Sequence, residues 1–127
     1  MFQSSLPQDG PLIRGTVSVQ SNSRYDLTIE ILRTDTGDSS EYADIILDGN
    51  SLGKCNPDGD DGDCTWYTCS NLLSKEIRTT SNEVDIKIQF SSGVKVGIYP
   101  CNGDKNVAAR VTLAPKGNIA QSLTLIF

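Results

Sequence analysis

Apolar residues recur at every second position along this chain, and that period limits what it can fold into. Tyr25, Leu27, Ile29 and Ile31 alternate with Asp26, Thr28 and Glu30, and Val84, Ile86, Ile88 and Phe90 alternate with Asp85, Lys87 and Gln89. Successive side chains of a strand point to opposite faces, so each run reads as a strand with one buried face. Val17 and Val19 continue the pattern, and further strands are expected at 42–47, 65–69, 77–80, 94–99, 107–114 and 122–127. Between them lie residues suited to reversing the chain. Asp48-Gly49-Asn50 and Ser92-Gly93 tolerate positive φ and are expected to close hairpins. The sole candidate for a helical turn, residues 70–74, is too short to form a layer. Short strands without helices predict an all-β, two-sheet antiparallel β-sandwich.

The 127 residues suit one domain. Residues 1–11 are expected to be a flexible N-terminal segment and 12–127 a single β-sandwich domain. No apolar run approaches the length of a membrane-spanning helix. The start, Met1-Phe-Gln-Ser-Ser-Leu-Pro, lacks the basic and apolar regions of a secretory signal. An extracellular chain with such a start is expected to be a mature or excised module.

The four cysteines Cys55, Cys64, Cys69 and Cys101 stand in a chain without histidine. Their spacing, C-x8-C-x4-C-x31-C, matches no paired C-x2-C zinc pattern, so two disulfides and a secreted or cell-surface location are expected. Three connectivities exist. Cys55 with Cys64 and Cys69 with Cys101 is the favoured one, because it closes the acidic loop and ties two distant segments; Cys64 with Cys69 would bridge a stretch that itself reads as a strand. Spatial geometry decides among them.

Charge is divided unevenly. Residues 35–63 carry nine acidic side chains against Lys54 alone, whereas residues 64–127 carry seven basic and four acidic ones. Nucleic acid and anionic membranes need clustered Lys and Arg, so an acidic middle argues against both and favours cations or basic surfaces. Four of the carboxylates, Asp58, Asp60, Asp61 and Asp63, fall in the loop Cys55-Asn-Pro-Asp-Gly-Asp-Asp-Gly-Asp-Cys64. Such close like charges repel unless they are solvated or neutralised. A hard cation with six to eight oxygen ligands would neutralise them, which makes calcium the expected cofactor and Asp58, Asp60 and Asp63 better ligands than Asp61. The competing reading is a solvated, disulfide-held tip that maintains solubility. The order of acids and glycines is not that of an EF-hand. A second set, Asp35, Asp38, Glu41 and Asp44, reads as a polar loop unless it folds beside Asp58.

Trp66 and Tyr67 follow the acidic loop directly, and as strand neighbours they point to opposite faces. Trp66, Tyr67 and Tyr99 are the candidate rings for a sugar face; Tyr67 is expected exposed before Trp66, which otherwise fills the core, with Tyr99 joining from another loop. Without histidine there is no Ser-His-Asp or Cys-His arrangement, and a small sandwich leaves little room for a deep substrate cleft. No catalytic residues and no enzyme activity are expected. None of the eight asparagines begins an N-x-S/T acceptor.

The stretch Glu41-Tyr-Ala-Asp-Ile-Ile-Leu-Asp-Gly-Asn-Ser-Leu-Gly53 resembles a hairpin of galactose-binding-like and carbohydrate-binding-module jelly rolls, with a strand ending in Asp-Gly and a short strand after it. The resemblance covers about a tenth of the chain and implies a jelly-roll-like sandwich and a glycan ligand. It carries over no ligand residues. The resulting expectation is a calcium-stabilised, glycan-binding module of lectin or adhesion type. The alternative is a structural matrix or coat module whose acidic loop meets calcium, mineral or a basic partner, and whose end, Leu123 to Phe127, self-associates as an added strand.

Overall fold

The computed structural model describes residues 10–32, 40–57, 64–69, 75–94, 107–116 and 123–126. Nine strands lie among them: β1 (Leu12–Ser18), β2 (Arg24–Leu32), β3 (Ala43–Leu47), β4 (Asn50–Cys55), β5 (Trp66–Thr68), β6 (Lys75–Arg78), β7 (Glu83–Phe90), β8 (Ala109–Pro115) and β9 (Leu123–Ile126). No helix occurs among the described residues. One antiparallel sheet has the order β1-β7-β3-β4 and the other β9-β8-β2-β5, with β6 paired to β2 alongside β5. β5 takes residues 30–32 of β2 and β6 takes residues 24–27, so the two short strands lie end to end along one edge. The expected all-β, two-sheet arrangement is therefore present.

Period-two alternation explains the core directly. Val84, Ile86, Ile88 and Phe90 of β7 and Ala43, Ile45 and Leu47 of β3 are buried on one sheet; Tyr25, Leu27, Ile29 and Ile31 of β2 and Val111 and Leu113 of β8 are buried on the other. Together they form one cluster between the sheets. β1 begins earlier than the Val17–Val19 alternation suggested. Ile13 and Val17 are both buried, with Gly15 holding the inward slot between them. Its ladder is prolonged by Gly10 N, which donates to Phe90 O at 2.9 Å, and by Phe90 N, which donates to Pro11 O at 2.9 Å. A Cβ on Gly10 would lie 2.1 Å from the Ser91 carbonyl oxygen, so this close approach requires glycine.

The Asp48-Gly49 turn forms as its residues predict. Leu47 pairs with Asn50, and Asp48 and Gly49 have φ values of 48° and 82°. Positive φ at both central positions matches the right-handed twist of the joined strands. Asp48 also extends the sheet: its N–H donates to Asp85 O and its Oδ1 accepts from Asp85 N, both at 2.8 Å. Beyond the turn the register shifts. Ile45 faces Gly53 and Ile46 faces Ser51, which leaves Leu52 as the extra residue of a β-bulge. The Ser92-Gly93 turn is present too, closed by Val94 N donating to Ser91 O at 3.1 Å.

Two buried hydroxyls fasten turns to the sandwich. Thr79 Oγ1 accepts from Ser23 N at 3.0 Å and donates to Gln20 O, pinning the β1–β2 turn at one end. At the other end Ser91 Oγ donates to Ser40 O at 2.6 Å and accepts from Tyr42 N at 3.0 Å. Each hydroxyl thus meets backbone groups that strand pairing leaves over.

The packing sets an expected mutational outcome. Ile86 is fully buried at the centre of β7. Ile86→Ala should cost about 2–5 kcal/mol in denaturant unfolding. A loss below about 1 kcal/mol would show that the two sheets do not pack face to face there.

Candidate functional site

The acidic loop leaves the first sheet at β4 and returns at β5 in the second. Cys55 and Cys69 are 0% and 1% exposed, and their sulfurs are bonded across the sheets with Cα atoms 5.5 Å apart. This overturns both favoured disulfides, Cys55 with Cys64 and Cys69 with Cys101. The reason is geometric. The last residue of β4 and the residue after β5 both turn inward at the same edge, whereas Cys64 is exposed. Cys64 is itself disulfide-bonded, and Cys101 lies outside the described residues. The loop is therefore a strap from one sheet to the other rather than a small ring closed on itself.

Both ends of the strap are fixed. Pro57 is buried and Asn56 half-buried on the way in. On the way out Cys64 has φ of 59°, a conformation that L residues seldom adopt. The expected calcium ligands, Asp58, Asp60, Asp61 and Asp63, lie outside the described residues, as does Tyr99. Among the described residues no group of three or more His, Cys, Asp or Glu side chains is placed to hold a metal. Of the second acidic set, Asp35 and Asp38 also lie outside. Glu41 is buried in phase with Ala43 and Ile45, while Asp44 faces outward and accepts from Ser51 Oγ at 2.7 Å. The strand pleat separates them, so they do not form one cluster.

The two aromatic rings occupy the faces opposite to those expected. Tyr67 stands in register with Ile31 and packs against the core. Trp66 stands opposite Leu32 on the outer face, and the Arg110 guanidinium lies 4.1 Å from its ring centroid. Arg110 also donates to Glu30 Oε2 at 2.9 Å. Arg110, Glu30 and Trp66 come from three adjacent strands, so this cation–π and ion-pair array ties β5 to the sheet beside the strap. Arg110 Nε is buried without a hydrogen bond.

Further along the same outer face, strand register sets like charges against each other. Arg24 pairs with Arg78, and Asp26 with Glu76. Directly opposed like charges destabilise a sheet. Relief comes diagonally: Arg24 reaches Glu76 at 3.6 Å, and Lys116 lies 3.6 Å from Asp26 and 3.3 Å from Glu76. The hydrogen bond to Glu76, followed by the negative charge of Asp26, raises the Lys116 pKa above the ordinary lysine value.

Comparison with protein-family models, with curated proteins and with solved structures gives no match for this chain.

Two outcomes follow from this geometry. With Cys55 joined to Cys69, the remaining pair for a second bridge is Cys64 with Cys101. Peptide mapping without reduction should recover a 55–69 link, and a 55–64 link would refute it. Replacing Cys55 and Cys69 together by alanine should cost on the order of 3 kcal/mol. For Lys116, a folded-state pKa above the unfolded one means that its stabilisation is complete below the ordinary value of 10.5 and is lost as pH rises through the folded value. Wild type should therefore exceed Lys116→Met in stability by a constant amount up to about pH 10 and converge with it above. A gap unchanged in stronger alkali would contradict the assigned partners.

Proposed function

We propose that this chain is an extracellular, non-catalytic binding module of lectin or adhesion type, stabilised by calcium and directed at glycans. The observation that carries the proposal is the buried inter-sheet disulfide that joins Cys55 to Cys69 on either side of a sequence with four aspartates. A disulfide in the core suits an oxidising compartment, and hence a secreted or cell-surface protein. Calcium among Asp58, Asp60 and Asp63 would offset their mutual repulsion and order the loop. The ordered loop then presents carboxylate oxygens to sugar hydroxyls beside Trp66, which replaces Tyr67 as the neighbouring ring. A jelly-roll-like chain path is supported by the way β1 to β2, β2 to β3, β4 to β5 and β6 to β7 each pass from one sheet to the other. Single sugar contacts are weak, so useful affinity requires several copies in one assembly.

One observation favours a second reading, a structural or adhesive matrix module. β1 and β9 are edge strands, paired on one side only among the described residues. Such edges accept an added strand, which is the route to self-association through residues 123–127.

Thermal melting in calcium and then in excess chelator tests the metal. Calcium at a hundredfold its dissociation constant should add about 2.7 kcal/mol of stability, and Asp58→Asn with Asp60→Asn should abolish the shift. An identical midpoint in calcium and chelator would sink the calcium reading. A glycan panel probed in both conditions tests the ligand: calcium-dependent retention is expected, and a blank panel favours the structural module.

A further inference from the structure

β1 borders the first sheet, and among the described residues it is the longest strand with an unpaired side. Its pairing with β7 runs from Leu12 to Ser18 without a register shift. The hydrogen-bond phase is fixed at both ends: Val19 N donates to Asn82 O at 2.8 Å, and Phe90 N donates to Pro11 O at 2.9 Å. Odd-numbered residues of β1 therefore bond to β7, and Leu12, Arg14, Thr16 and Ser18 turn their N–H and C=O groups outward. Among the described residues nothing bonds to these outward groups.

Proteins blunt such a border by making it short or bulged, by pointing a charge inward or by placing proline in it. The other border of this sheet follows that rule, since β4 is bulged at Leu52. β1 uses none of these devices. It contains no proline, and its inward residues are Ile13, Gly15 and Val17. Its one charge, Arg14, is turned to Asp85 of the same chain at 3.3 Å. Leu12, at its start, is the large apolar side chain left exposed among the described residues.

We propose that β1 pairs with β1 of a second copy, antiparallel about a two-fold axis at Gly15, so that two four-stranded sheets become one. Only an axis at Gly15 lets the whole of β1 overlap. It sets Leu12 opposite Ser18 and Arg14 opposite Thr16 of the second copy, each such pair exchanging two hydrogen bonds. It also sets Ile13 opposite Val17, so the apolar inner face runs on across the border. Gly15 then meets Gly15 of the second copy as a non-hydrogen-bonded pair, where Cα atoms come closest, at about 4.5 Å. Moving the axis to residue 14 would oppose Arg14 to Arg14, and any shift leaves part of the edge uncovered. The joined order, β4-β3-β7-β1-β1-β7-β3-β4, holds the two outer borders, each with its disulfide, roughly 34 Å apart. Such a pair supplies the several copies that weak sugar contacts require, but the pairing itself uses neither glycan nor calcium.

The test is sedimentation velocity of the intact protein from about 1 µM to about 1 mM in chelator, without glycan. One strand pairing is a small interface, so a dimer with a dissociation constant on the order of 10–100 µM is expected. Amide exchange should slow at Leu12, Arg14, Thr16 and Ser18 as concentration rises, the odd-numbered residues being protected by β7 already. Thr16→Lys should weaken the dimer by about tenfold or more, because the new cation faces Arg14 of the second copy. Its monomer should melt no lower, because the same cation faces Asp85 across the β1–β7 pairing. Thr16→Pro removes one outward donor, leaves the ladder to β7 intact and should weaken the dimer similarly. A protein that stays monomeric throughout, a dimer indifferent to both variants, or protection that appears at residues 123–126 in place of β1 would each overturn the proposal. A calcium-free dimer beside a blank glycan panel keeps the pairing and removes the glycan reading; calcium-dependent glycan retention by a strict monomer does the reverse.

Discussion

The bond between Cys55 and Cys69 joins the facing border strands of the two sheets. Among the described residues β4 is an edge strand interrupted by a bulge, and β5 is three residues long and pairs only with β2. The disulfide joins them directly, with both sulfurs inside the core cluster. It also restricts the unfolded chain, because residues 55 and 69 can no longer separate. The acidic segment between them therefore starts from one sheet and ends on the other.

Electrostatics on the outer face of the second sheet follows from register as firmly as the core does. Pleating and antiparallel pairing place Arg24 against Arg78 and Asp26 against Glu76 whatever their charges. One lysine just past the end of β8 relieves the acidic pair, and the aromatic ring of Trp66 and the carboxylate of Glu30 share Arg110. The basic pair has no comparable relief on the Arg78 side. The first sheet repeats the pattern, with Arg14 set against Lys87 and paired to Asp85.

Local signals were legible in the sequence, and long-range meetings were not. Alternation identified β2, β3 and β7, and Asp48-Gly49 announced its turn, because both depend on neighbours within a few residues. β1 was only half visible, since Gly15 occupies an inward slot and breaks the apolar run. The disulfide pairing depends on which strand ends stack across the core, and spacing along the chain carries no such information. Trp66 and Tyr67 illustrate the same limit: a shift of one residue between β5 and β2 exchanges their faces. The bulge at Leu52 and the opposition of Arg24 to Arg78 likewise exist only once the strands have found their partners.

Strand direction has a consequence for how the domain can be tethered. With Cys55 and Cys69 marking one end of the sandwich, the pairings Ala43 with Cys55, Ala43 with Phe90 and Leu12 with Gln89 bring the start of β1 to that same end. Tyr67 with Ile31, Ile31 with Ala109 and Arg110 with Ile126 bring the finish of β9 there too. Both strands border the side away from β4 and β5. The cleft between β4 and β6, lined by Leu52 and Ile77, therefore sits at the diagonally opposite corner, away from anything tethered at the start of β1 or the finish of β9.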